Sequence, residues 1–101
     1  MPKMKVVVPH ALGQEQASTR LKERFHEAKD EFAGQVTDFE ENWEGDHVLH
    51  FKFKAMGMKV EGTTTVEEKN VNVAANLPMA AMMLKGMIEK RLTEEMQRIL
   101  A

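Results

Sequence analysis

Cysteine and tyrosine are absent from these 101 residues, and tryptophan and serine occur once each. Without cysteine there is no disulfide, no thiol nucleophile and no cysteine-ligated zinc. The lone serine, Ser18, falls inside a helical pattern with no glycine elbow around it, which argues against a hydrolase serine. No G-x-G-x-x-G or G-x-x-x-x-G-K-[ST] run is present, so dinucleotide and P-loop chemistry lack their phosphate cradle. Neither sign of charge dominates. Fourteen basic residues face 16 acidic ones for a formal net charge of -2, a balance that argues against a dedicated nucleic-acid partner. No apolar stretch approaches the roughly 20 residues that span a bilayer, and Val6-Val7-Val8 is too short an apolar core for a signal peptide. These absences lead us to expect one soluble cytoplasmic domain over residues 1–101, with no membrane span.

What is present reads as an α+β chain. Lys3 to Pro9 is a β-branched run closed by proline, a strand. From Gly13 to about Ala33, the positions Ala17, Leu21, Phe25, Ala28 and Phe32 form one apolar stripe at helical spacing, and Gly34 follows as a stop. Four strands joined by tight turns come next. In Gln35–Trp43 the apolar phase shifts between Val36 and Phe39, which predicts a bulge near Thr37-Asp38. Leu49, Phe51 and Phe53 then alternate with His50, Lys52 and Lys54 in the cleanest two-residue period of the chain. Met58 to Val66 and Val71 to Leu77 repeat the pattern of one apolar and one polar face. Pro78 opens a last helix, capped by Asn76 or Leu77, that can run to Ala101. Sequential hairpins place strands two to five side by side, and the first pairs most simply with the fifth. The expected fold is β-α-β-β-β-β-α: a five-stranded antiparallel sheet, order 1-5-4-3-2, with both helices on one face. This is a shortened helix-grip-like arrangement. Twenty-four helical residues would span roughly 36 Å, more than the roughly 20 Å width of five strands, so the last helix is expected to overhang its sheet.

Few residues offer chemistry. His47 and His50 look like a chelating pair, but three residues apart on a strand they point to opposite faces. No metal site and no cofactor is expected. His26 lies next to the apolar stripe of the first helix and is read as solvated. His10, between a strand and a helix, is read either as a ligand at a pocket rim or as a cap on the helix entry. Trp43, ahead of the Gly45 turn, is either a binding anchor or a packing residue. Carboxylates such as Asp38, Glu40, Glu41, Glu61 and Glu67 belong mainly to the solvated sheet face, and no spacing forces two into a shared apolar site. Catalysis is not expected.

The strongest feature is the start of the last helix, Pro78-Met-Ala-Ala-Met-Met-Leu-Lys-Gly-Met-Ile88. Five of the nine methionines (Met79, Met82, Met83, Met87 and Met96) lie on this helix. A surface helix normally carries one apolar stripe, whereas this one is apolar on nearly every side. Contact with the sheet and the first helix needs only Ala80, Met83, Leu84, Met87 and Ile88, which leaves Met79 and Met82 over. The expected partner surface comprises Met79, Met82, Met83 and Met87, with Trp43 and His10 as further candidates.

Several short pieces, in order, resemble the polyhydroxyalkanoic acid system proteins, a family of small bacterial proteins. They are Pro9-His10-Ala11-Leu12-Gly13, Ala17 and Arg20, Trp43-Glu44-Gly45-Asp46 leading to Leu49 and Phe51, Val60 and Gly62, and Leu84-Lys85-Gly86 with Ile88-Glu89. The resemblance covers nearly the whole chain. It implies association with polyhydroxyalkanoate storage polyester, at the granule surface, and no known reaction or catalytic residue. The leading expectation is therefore a non-enzymatic accessory protein whose methionine-rich helix meets a granule, an acyl chain or a second subunit in a homodimer. The alternative is a small-ligand (acyl or hydroxyacyl) binding protein or enzyme, with Phe51, Phe53, Met58 and Met83 lining a pocket between sheet and last helix.

Overall fold

The computed structural model describes residues 3–31, 36–55 and 57–101. The order is β1 (Lys3–Pro9), α1 (Gln14–Glu31), β2 (Val36–Glu44), β3 (Val48–Ala55), β4 (Met58–Val66), β5 (Asn70–Asn76), a 3-10 helix (Met79–Leu84) and α2 (Lys85–Leu100). The five strands form one open antiparallel sheet in the order β1-β5-β4-β3-β2, as the hairpin argument requires. The expected bulge is present. The β2–β3 register shifts between Thr37 and Glu40, where Asp38 takes a positive φ of 53°. The side chains of Phe25, His26 and Ala28, and all of Phe32 and Gly34, lie outside the described residues.

Alternation builds the core. Met4, Val6 and Val8 of β1, Val71, Val73 and Ala75 of β5, and Val60, Thr64 and Val66 of β4 are all buried on one face. Ala17 and Leu21 of α1 and Met96, Ile99 and Leu100 of α2 close over them. Phe51, Phe53, Met58, Ile88 and Leu92 pack at the margin, half-buried. The rings of Phe39, Phe53 and Phe51 stack in series, with centroids 5.9 and 6.1 Å apart.

The last helix departs from expectation. Pro78 is extended (φ -65°, ψ 154°) and supplies no side-chain cap. The chain then turns with a three-residue pitch to Leu84 before α2 begins at Lys85. The cause lies in two anchors. Leu77 and Ala81 are 0% and 1% exposed, and a pitch of three residues carries the inward direction from Ala81 to Leu84. The sequence led us to expect Met83 and Met87 inward, but with Ala81, Leu84 and Ile88 on the inner side even an unbroken α-helix turns them away. Both face solvent. The α-helical part is 16 residues long, roughly 24 Å, shorter than the 24 residues the sequence suggested.

Gly62 marks a close approach. It stands between Phe51 and Ala75 on the inner face. A Cβ there would lie 2.4 Å from Ala74 O and 2.9 Å from Phe51 Cζ. Gly86 has open space around it. We expect Gly62→Ala to destabilise the fold by about 1–3 kcal/mol through overpacking, and Gly86→Ala to stabilise it by about 0.4–1 kcal/mol through lost unfolded-state entropy. Urea unfolding midpoints measure both. Equal midpoints for the two variants would contradict the packing argument.

Candidate functional site

The register sorts the side chains to two ends of the sheet. Pro9 pairs with Asn70, Val66 with Val71 and Glu44 with Val48 at one end. Lys3 pairs with Asn76 and Ala55 with Met58 at the other.

The first end is polar and tied together. His10 Nδ1 accepts the Leu12 N–H at 3.2 Å, so Nε2 carries the proton and donates to Glu67 O at 3.0 Å. The Gln14 amide donates to Val66 O at 3.0 Å, and the Gln14 backbone N–H donates to Glu68 Oε2 at 3.2 Å. Gly13, at φ 81°, makes the corner. These contacts fasten the entry of α1 to the β4–β5 turn. A second tie holds α1 to the β2–β3 turn. Ser18, 3% exposed, sits 2.7 Å from His47 Nδ1, and His47 Nε2 lies 3.4 Å from Glu15 Oε1. Lys22 Nζ lies 4.9 Å from the Trp43 ring centroid and 3.5 Å from Asp46. His10 therefore engages both nitrogens within the fold, and Trp43 packs against the core margin beneath a lysine.

The outer face of the sheet holds a cross-strand series that sequence reading missed. His50 Nε2 is 2.8 Å from Glu44 Oε2, and His50 Nδ1 is 3.2 Å from Thr63 Oγ1. Beside it Lys52 pairs with Glu40 at 3.1 Å. Hydroxyl, imidazole and carboxylate follow the order of an activated nucleophile. However, the His50 and Glu44 side chains are largely open to water, which weakens their mutual field. Flanking strands on both sides of β4 also commit its backbone N–H groups to the ladder rather than to a developing oxyanion. Among the described residues no three His, Asp or Glu side chains group to hold a metal ion.

The opposite end carries the exposed methionines. The chain leaves β5 at Asn76 and presents Met79, Met82, Met83 and Met87 in succession, 80%, 39%, 95% and 58% exposed. Half-buried Met58 and Phe53 lie on the strand ends there. The four methionines thus follow one another along one exposed segment, and His10 and Trp43 stand at the other end of the sheet. Met83 does not line a pocket between sheet and α2, because its side chain points outward.

Compared with known proteins, residues 4–100 match the family described as Putative polyhydroxyalkanoic acid system protein. The chain belongs to that family. No curated protein and no solved structure matches it significantly. Among the described residues no helix of this polyhydroxyalkanoic acid system protein is long and apolar enough to cross a membrane. The pieces that carried the family resemblance serve the fold: His10 and Gly13 form the first tie, Trp43 and Asp46 the second, and Gly62 the close approach.

The Ser18–His47 pair escaped sequence reading because 29 residues separate the partners. The available signal was a small polar residue beside Ala17 on an apolar stripe. A structural role predicts that Ser18→Ala, which strands a ring nitrogen, lowers stability by about 1–3 kcal/mol. Thr63→Ala, on the open face, should stay within about 0.5 kcal/mol of the parent. Chemical denaturation of both variants checks this, and a reversed order would contradict it.

Proposed function

We propose that the chain is a non-enzymatic accessory protein that docks its apolar end on the surface of polyhydroxyalkanoate storage granules. One observation carries the reading: four methionines displayed together on one exposed segment. Small soluble domains rarely leave large apolar side chains grouped in water without a partner, and the unbranched thioether adapts to a surface of irregular shape. Membership of the polyhydroxyalkanoic acid system family supports an aliphatic polyester as that surface. The polymer offers methyl and methylene groups to the thioethers, and no pocket or reaction is needed. Such a protein would work in the cytoplasm at the granule boundary.

A homodimer through the same face is the competing use of these side chains, and the acyl-pocket reading is weaker now that Met83 points to solvent. Burying one such side chain contributes about 1.5–3 kcal/mol, and each 1.4 kcal/mol is about a factor of ten in affinity. The double change Met79→Lys and Met83→Lys should therefore lower retention on polyhydroxybutyrate particles by at least about tenfold, with an unchanged circular dichroism spectrum. Undiminished retention would remove the reading. Loss of a dimer by light scattering, without any effect on particles, would assign the face to self-association instead.

A further inference from the structure

The exposed apolar surface has a chemical bias. Among the described residues the exposed large apolar side chains are Val7, Met79, Met82, Met83 and Met87. Four of these five are methionine. Leucines on the same segment are treated differently: Leu77 and Leu100 are buried, and Leu84 and Leu92 are half-buried. Leucine would supply the same apolar area with a stiffer side chain, so hydrophobic contact alone does not require methionine at every exposed position. What methionine adds, besides flexibility, is an oxidisable sulfur. No cysteine is present to compete for an oxidant. Met4 and Met96, by contrast, are 1% and 6% exposed and meet a solvent oxidant only when the structure opens.

We infer that Met79, Met82, Met83 and Met87 form an oxidation site for peroxides, and that their conversion to sulfoxides releases the protein from its apolar partner surface. The inference rests on the docking reading above for its consequence, but not for its site. In the chemical step a thioether lone pair attacks one oxygen of hydrogen peroxide and the O–O bond breaks. An S–O bond forms, the sulfur loses two electrons, and the departing hydroxide takes the remaining proton to leave as water. A flexible apolar side chain becomes a polar one with a strong acceptor oxygen. Four such changes on one exposed segment replace its apolar character, while Met4 and Met96 stay in the core. Reversal consumes two thiols per sulfoxide through a methionine sulfoxide reductase, giving a disulfide and water.

The full-length chain treated with hydrogen peroxide and followed by peptide mass mapping reads the site. The four exposed methionines should oxidise at least about tenfold faster than Met4 and Met96, which must wait for opening. Comparable rates for all six would overturn the inference. Retention on polyhydroxybutyrate particles reads the consequence. Oxidised protein should lose at least about tenfold in retention and regain it after treatment with both epimer-specific reductases and dithiothreitol. A variant with all four changed to leucine should bind and ignore peroxide. Release of that leucine variant by peroxide, or full retention of the oxidised parent, would also overturn it. If the untreated parent fails to bind polyester, the docking reading falls by itself. Rate selectivity and retention on butyl-agarose then still decide the oxidation proposal, with unchanged retention after oxidation counting against it.

Discussion

Everything distinctive about the surface depends on how the chain is pinned as it leaves β5. Leu77 and Ala81 are both sealed in the core, and the short extended step at Pro78 between them fixes where the next turn starts. The segment turns with a three-residue pitch from Met79 to Leu84. That pitch stacks Ala81 with Leu84 on the inside and turns Met79, Met82 and Met83 away from it. From Lys85 the ordinary α-helical pitch resumes. Leu84, Ile88, Leu92 and Met96 then follow at four-residue steps toward the buried Ile99 and Leu100. One inner line, Ala81, Leu84, Ile88, Leu92 and Met96, thus runs through both pitches, and the apolar side chains that lie off it before Ile88 are left exposed.

The strands and their order were legible because a two-residue period has only two phases, and residues such as Leu49, Phe51 and Phe53 against His50, Lys52 and Lys54 leave no doubt which is inward. The bulge at Asp38 was legible for the same reason, as a break in that phase. The last segment was not. A run in which almost every residue is apolar carries no phase information, so Met83 and Met87 could be assigned to either side. Only the depth of Ala81, a property of packing, settles the matter. The polar ties were hidden for another reason. Ser18 with His47, and Gln14 with Val66 and Glu68, join positions far apart in sequence, where no local pattern announces a partner.

The two ends of the sheet do different work. At one end, short polar bridges hold the entry of α1 to two hairpin turns, with side chains such as His10 using both ring nitrogens internally. Hydrogen bonds of this kind add modest net stability but fix geometry. At the other end the apolar anchors Leu77 and Ala81 hold the segment. The end that is fastened by directional bonds is occupied with itself. The end that is fastened from below leaves its outer surface free of structural duties, and that surface is where a partner can be met without disturbing the fold.

This division bears on what family membership explains. The residues that carry the resemblance, from His10 and Gly13 through Trp43 and Asp46 to Gly62, are corners, ties and a close backbone approach. Their physical roles are complete once the sheet and helices are in place, and a fold does not by itself dictate a function. Met79 and Met83, 80% and 95% exposed, contribute almost nothing to that scaffold, and Met82 and Met87 are only partly covered by it. A protein could exchange them for other side chains and keep the same architecture. The polyester docking proposed above would accordingly run through side chains that the scaffold displays but does not need. In this chain the apolar ones that stand out most are thioethers.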